Sequence, residues 1–143
     1  MARFWDTSVI IPLLVREPTT AELLILLRDD EHMTVWWGTR IECTSALSRR
    51  MREGGLTSAA EVQARAAFDR LAGSWSEIQP TDRVRSRAQR LLAVHPLRAA
   101  DAVQLASALV WTEDAPDQRP FICLDHRLGQ AARKEGFAVR PLD

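Results

Sequence analysis

Polar and apolar residues alternate along the chain in two rhythms. Ala2-Arg3-Phe4-Trp5 and Phe121-Ile122-Cys123-Leu124 are short segments with strand character, and each closes on an aspartate, Asp6 and Asp125. Weaker strand patterns cover Thr34 to Trp37, Glu77 to Gln79 and Phe137 to Arg140. Helical spacing covers Val9 to Val15, Thr19 to Arg28, Thr39 to Met51, Ser58 to Leu71, Asp82 to Val94, Ala99 to Thr112 and Leu128 to Lys134. Pro18, Gly54-Gly55, Pro80, Pro96, Pro116, Pro120 and Gly136 punctuate these segments, as breakers should. Short strands alternating with longer helices predict an α/β domain on a mainly parallel sheet. There is no internal repeat and no linker, so one domain is expected over residues 1–143.

The order of elements gives the acids a place. In a parallel α/β sheet the C-terminal ends of strands and the N-termini of the following helices share one edge, where ligands bind. Asp6 and Asp125 end strands, Glu42 opens the helix after Thr39, and Asp101 lies in the first turn of the helix after Pro96. From Ala99 to Thr112, Asp101 is the only charged residue. Each acid has a plain structural use as well. Thr39-x-x-Glu42 fits a capping box, Asp101 could serve its helix dipole or pair with Arg98, and Asp6 and Asp125 could be N-caps. Four segments sending carboxylates to one edge favour a common cause. Their mutual repulsion is relieved by a hard divalent cation, Mg²⁺ or Mn²⁺, and such a site suits phosphodiester hydrolysis by a metal-activated water.

Composition removes competing chemistries. The 143 residues are 46% hydrophobic and 27% charged with zero net charge, ordinary for a folded protein without a polyanion-binding surface overall. No apolar run is long enough for a membrane span and the start has no signal-peptide cleavage pattern, so a cytoplasmic protein is expected. Cys43 and Cys123 form no zinc or CxxC pattern, and His32, His95 and His126 have no metal spacing. GxSxG, GxxxxGK[ST] and GxGxxG are all absent.

Of the 19 basic residues all but Lys134 are arginine. Two clusters, Arg49-Arg50-Arg52 and Arg83 to Arg90, read as solvated helix faces or as phosphate contacts. Of the paired Trp36 and Trp37, one is expected in the core and one facing outward. The apolar stretch Leu23 to Leu27 surrounds its helix more than one face requires, which hints at a protein contact.

Four stretches in order, "FWDTSVIIPLL", "TRIECTSALSRR", "LRAADAVQLASAL" and "FICLDHRLGQAARKEGF", resemble the PIN-domain ribonucleases and specifically the VapC-type toxins of bacterial toxin–antitoxin pairs. The resemblance implies a three-layer PIN-like fold with helices flanking the sheet. It implies Mg²⁺- or Mn²⁺-dependent endonuclease activity on RNA, homodimerisation, and inhibition by a small cognate antitoxin. It carries Asp6, Glu42, Asp101 and Asp125 into the metal site, and matches Ser8 to a supporting hydroxyl. Members often have Thr or Ser two residues before the last aspartate, where this chain has Cys123, a poorer hydrogen-bond donor. For an RNA substrate, Arg40 and Arg98 are the candidate phosphate-binding residues, each close in sequence to a proposed ligand. Two other readings are a non-catalytic binding module on the same fold and a DNA-directed metal-dependent nuclease.

Overall fold

The computed structural model describes residues 2–30 and 32–142. Five strands form one sheet: β1 (Phe4–Trp5), β2 (Thr34–Trp36), β3 (Ser76–Ile78), β4 (Pro120–Ile122) and β5 (Ala138–Arg140). Their spatial order is β3-β2-β1-β4-β5 and every pairing is parallel, a stricter arrangement than the mainly parallel sheet expected from sequence. The helices are α1 (Ile11–Leu14), α2 (Thr20–Arg28), α3 (Thr39–Arg52), α4 (Ser58–Ala72), α5 (Asp82–Val94), α6 (Ala99–Trp111) and α7 (His126–Glu135).

Strand alternation creates the layers. Phe4 and Phe121 stack at 5.5 Å between ring centroids and join a core built with Leu91, Leu105 and Leu128 of α5, α6 and α7. The next residues along the same strands, Trp5 and Ile122, enter a second core with Leu23, Leu47 and Phe68 of α2, α3 and α4. A period of two therefore assigns each strand residue to one of two helical layers. Trp5 is fully buried and its indole nitrogen donates to Asp30 Oδ2 at 2.6 Å, so the ring brings no orphaned polar atom into the core.

Differences from the sequence reading lie at element ends. The expected Val9 to Val15 helix is a 3-10 turn, Thr7–Val9, followed by a four-residue α1. Pro12 accounts for the break, because it is tolerated only in a helix's first turn. Helix α7 starts two residues earlier than expected, since Asp125 caps it by accepting from the Leu128 amide at 2.9 Å. The Arg83–Arg90 cluster is committed to structure: Arg87 grips Asp114 through two hydrogen bonds at 2.8 and 2.5 Å, and Arg83 lies 3.7 Å from the same carboxylate. Arg50 pairs with Glu17. Trp36 is half-buried and Trp37 exposed, their rings edge-on at 6.2 Å.

One ionic junction, with His95 buried and Glu135 half-buried, ties α5 to α7. Glu135 receives His95 Nε2 at 2.7 Å and the Arg90 guanidinium at 3.1 Å. Burial works to raise the Glu135 carboxyl, but the hydrogen bonds from His95 and Arg90 outweigh it and hold the group below the usual glutamate range. A depressed carboxyl stabilises the fold above its unfolded value and loses that contribution as pH falls through the folded value. Glu135→Gln is expected to cost about 2 kcal/mol at pH 7. Urea denaturation should show the gap from the unaltered protein closing as pH drops below 4.5, the ordinary glutamate value.

Candidate active site

The chain adds β2 and β3 on one side of β1 and β4 and β5 on the other, so the crossovers change direction between β1 and β4. At such a switch point the loops leaving adjacent strands diverge and open a crevice at the carboxyl edge. Asp6 and Asp125 follow those two strands. The Asp6 amide donates to Ile122 O at 2.9 Å, and the Leu124 amide donates to Ser8 Oγ at 3.0 Å, so the two strand exits are laced together.

Asp6 is the centre of the arrangement. It is 4% exposed and its carboxylate accepts from the Ser8 amide at 3.1 Å, capping the 3-10 turn. Burial pushes its pKa up to about 6, the Asp101 charge adds to the rise, and hydrogen bonds from Ser8 and Thr7 oppose it. Glu42 and Asp101 are also raised, each mainly by burial. Glu42 is further raised by the charges of Asp6 and Asp101, and Asp101 by that of Asp125. Repulsion thus links all four acids. Among the described residues no salt bridge reaches Asp6, Glu42, Asp101 or Asp125.

The acids are not equal. Asp6, Glu42 and Asp101 come from the β1 exit and the first turns of α3 and α6. Asp125 is exposed and already spends one oxygen on capping α7. Among the described residues, no three carboxylate, thiol or imidazole groups converge closely enough to enclose an ion. The cluster is an open set of repelling oxygens rather than a closed coordination shell. Its donors nevertheless fit a hard divalent cation: they are carboxylates, they have no salt-bridge partner among the described residues, and the buried Gln104 beside them keeps an amide oxygen with no hydrogen-bond donor.

Two plain structural readings fail here. No capping box forms at Glu42, because the N-cap of α3 is Gly38 and Thr39 is already helical. A Cβ at Gly38 would stand 2.2 Å from Trp36 Nε1, so the indole lies where only glycine permits it. Nor do Arg98 and Asp101 form a salt bridge among the described residues: Asp101 takes a hydrogen bond from the Arg98 backbone and feels the Arg98 charge only through space. Arg40 and Arg98 are both exposed and free of salt bridges among the described residues.

Sequence reasoning missed three contributors. Arg127, the second residue after Asp125, lowers the Asp101 carboxyl by its charge. Thr7 and Gln104 form a polar contact beneath Glu42: Gln104 Nε2 reaches Thr7 Oγ1 at 2.7 Å, Thr39 Oγ1 at 3.1 Å and Glu42 Oε1 at 3.5 Å. The available signal was a lone amide on the apolar face of α6, one turn after Asp101. Cys123 is buried, with Sγ 3.7 Å from Asp6 Oδ2 and 3.9 Å from Ser8 Oγ.

The family model of the PIN domain matches residues 3–114. The chain belongs to the PIN domain family. PIN domains are generally metal-dependent nucleases. The matched segment holds Asp6, Glu42 and Asp101, whereas Asp125 lies beyond it. No curated protein matches the chain. Among the described residues no helix is long and apolar enough to cross a membrane.

An acid whose folded pKa is raised destabilises the fold once pH passes its unfolded value, and the full penalty applies above the folded value. For Asp6, the rise from 3.8 to about 6 corresponds to about 3 kcal/mol. Asp6→Asn keeps an oxygen for the Ser8 amide and removes the charge. Thermal unfolding in EDTA should therefore show this PIN-domain variant more stable than the parent at pH 8, by about 2 kcal/mol, with the advantage gone near pH 4.

Proposed function

We propose that this PIN domain is an Mg²⁺- or Mn²⁺-dependent endoribonuclease that acts as the toxin of a type II toxin–antitoxin pair. One observation carries the reading. Asp6 is a buried carboxylate at the switch point of a parallel sheet, it repels Asp101 and Glu42, and no cationic side chain among the described residues pairs with it. Protein side chains leave that charge uncompensated, and a divalent cation would compensate it.

Asp6, Glu42 and Asp101 would hold the cation, with Asp125 contributing at the outer side. A bound divalent cation supplies Lewis acidity, lowering the pKa of a water and stabilising charge on the phosphate. The chain's own residues do the rest. Ser8 fixes the Asp6 loop against the β4 exit through the Leu124 amide. Arg98 and Arg127, whose charges act on Asp101, and Arg40, two residues before Glu42, are exposed and can hold a phosphate backbone on an otherwise neutral protein. RNA is favoured as the polymer by the resemblance to VapC-type toxins across all four acidic stretches.

The partner reading has a structural correlate. Leu24 and Ile25 of α2 are 47% and 51% exposed, and Ile41 near the acidic edge is 62% exposed. These apolar side chains suit coverage by an antitoxin segment or by a second copy of the chain.

Purified protein is expected to cleave RNA in Mg²⁺ or Mn²⁺, to stop in EDTA, and to leave DNA of matched sequence intact. Asp101→Asn should lower cleavage at least a thousandfold without loss of fold, and should abolish growth arrest on induction. Cleavage of DNA alone would favour the DNA-directed enzyme. Growth arrest that persists with Asp101→Asn would favour a non-catalytic module.

A further inference from the structure

Gln104 has the burial of a core residue and the chemistry of a site residue. It is 1% exposed on α6, yet its amide is neither apolar filler nor a fully satisfied polar group. Nε2 serves three oxygens, on Thr7, Thr39 and Glu42, and Oε1 serves none. The three partners belong to two segments: the turn after β1, which carries Thr7, and the first turn of α3, which carries Thr39 and Glu42. Gln104 itself stands one helical turn from Asp101. A single amide thus touches or neighbours every segment that supplies Asp6, Glu42 and Asp101.

The amide's orientation follows from charge. Thr7 and Thr39 carry hydroxyls, which can accept or donate, so they tolerate either end of the amide. The Glu42 carboxylate can only accept when ionised. Turning the amide over would set Oε1 against Glu42 Oε1, acceptor against acceptor. Glu42 therefore selects the nitrogen, and the oxygen is left without a donor. An orphaned buried acceptor is costly, of the order of 1–3 kcal/mol. A leucine or methionine would fill the same volume without that cost, so packing gives no account of the amide.

We propose that Gln104 is a positioning residue of the acidic site, its buried amide holding Glu42 against the Asp6 turn and α6 so that the carboxylates face one divalent cation together. The proposal rests on the metal-dependent reading of the site and adds to it a residue that does not itself ligate. Thr7 and Thr39 are the struts of the same device, fixing the amide from the two sides. Residues that orient ligands in this way typically govern metal affinity by 10- to 100-fold.

The test is Mn²⁺ titration, read by the electron paramagnetic resonance of free Mn²⁺, on the parent chain, Gln104→Met, Glu42→Gln and the double variant. Gln104→Met preserves the shape and removes the donor. Its Mn²⁺ Kd is expected to rise about tenfold, while unfolding in EDTA stays as cooperative as in the parent. Added to Glu42→Gln, it should change Kd less than twofold, because its effect passes through Glu42. Thr39→Val should raise Kd in the same direction by a smaller factor, and stands in if Gln104→Met does not fold. Parent-like Mn²⁺ affinity in Gln104→Met, or full additivity in the double variant, overturns the role of Gln104 and leaves the metal site standing. A parent chain that takes up no Mn²⁺ overturns both.

Discussion

The site depends on one constraint: a buried carboxylate must be kept ionisable with no cationic side chain paired to it among the described residues. Asp6 sits at the exit of the central strand with almost no solvent contact. Its neighbours supply dipoles only, the Ser8 and Thr7 amides and the Ser8 hydroxyl. These offset part of the desolvation, and the charges of Asp101 and Glu42 work against them. The geometry stays put because the backbone is fixed on both sides, by the Asp6 amide on Ile122 and the Leu124 amide on Ser8. Strain from charge is thereby stored in a rigid strand exit instead of being relaxed by a loop moving away.

The rest of the fold is arranged to sustain that exit. Alternation along β1 sends Phe4 to the layer of α5, α6 and α7 and Trp5 to the layer of α2, α3 and α4, and the next residue, Asp6, returns toward the α6 side. The same alternation places Phe121 and Cys123 in the layer with Phe4. Each layer then contributes a helix start: α6 brings Asp101 from one side and α3 brings Glu42 from the other. Acids from both layers meet over β1 because the sheet is covered on both faces and its strands run the same way. An antiparallel sheet would have scattered strand exits over two edges.

Much of this was legible in the sequence, and what was not has definite physical reasons. All five strands and the longer helices follow from periodicity and breakers, with α5 matching at both ends. The acids at Asp6, Glu42, Asp101 and Asp125 were legible because strand ends and helix starts share an edge in any parallel sheet. Their inequality was not. The cap that Asp125 gives to α7 depends on a helix start displaced by two residues, which periodicity does not resolve. The capping box at Thr39 matched a pattern, but the helix starts at Thr39 itself, with Gly38 as N-cap, a position where the Trp36 indole leaves no room for a Cβ. The arginines resisted for another reason. Arg87 and Asp114 are far apart in sequence, and their pairing needs the turn at residues 113–118 that brings Asp114 back onto α5.

The distribution of positive charge adds the last step. The chain has as many basic as acidic residues, yet among the described residues its ion pairs, such as Arg87 with Asp114, Arg90 with Glu135, Arg65 with Glu61 and Arg50 with Glu17, include none at the acidic edge. Neutralising Asp6 or Asp101 with one of those guanidiniums would be the simple route to a more stable fold. It would also occupy the position a cation needs and give the edge a fixed salt bridge. Arg98 and Arg127 are exposed and act on the Asp101 carboxyl through space, without a salt bridge to the acids among the described residues. A fold selected only for stability would close that gap. On the proposed reading, acids left unpaired and arginines left exposed keep both charges available to a divalent cation and a phosphate.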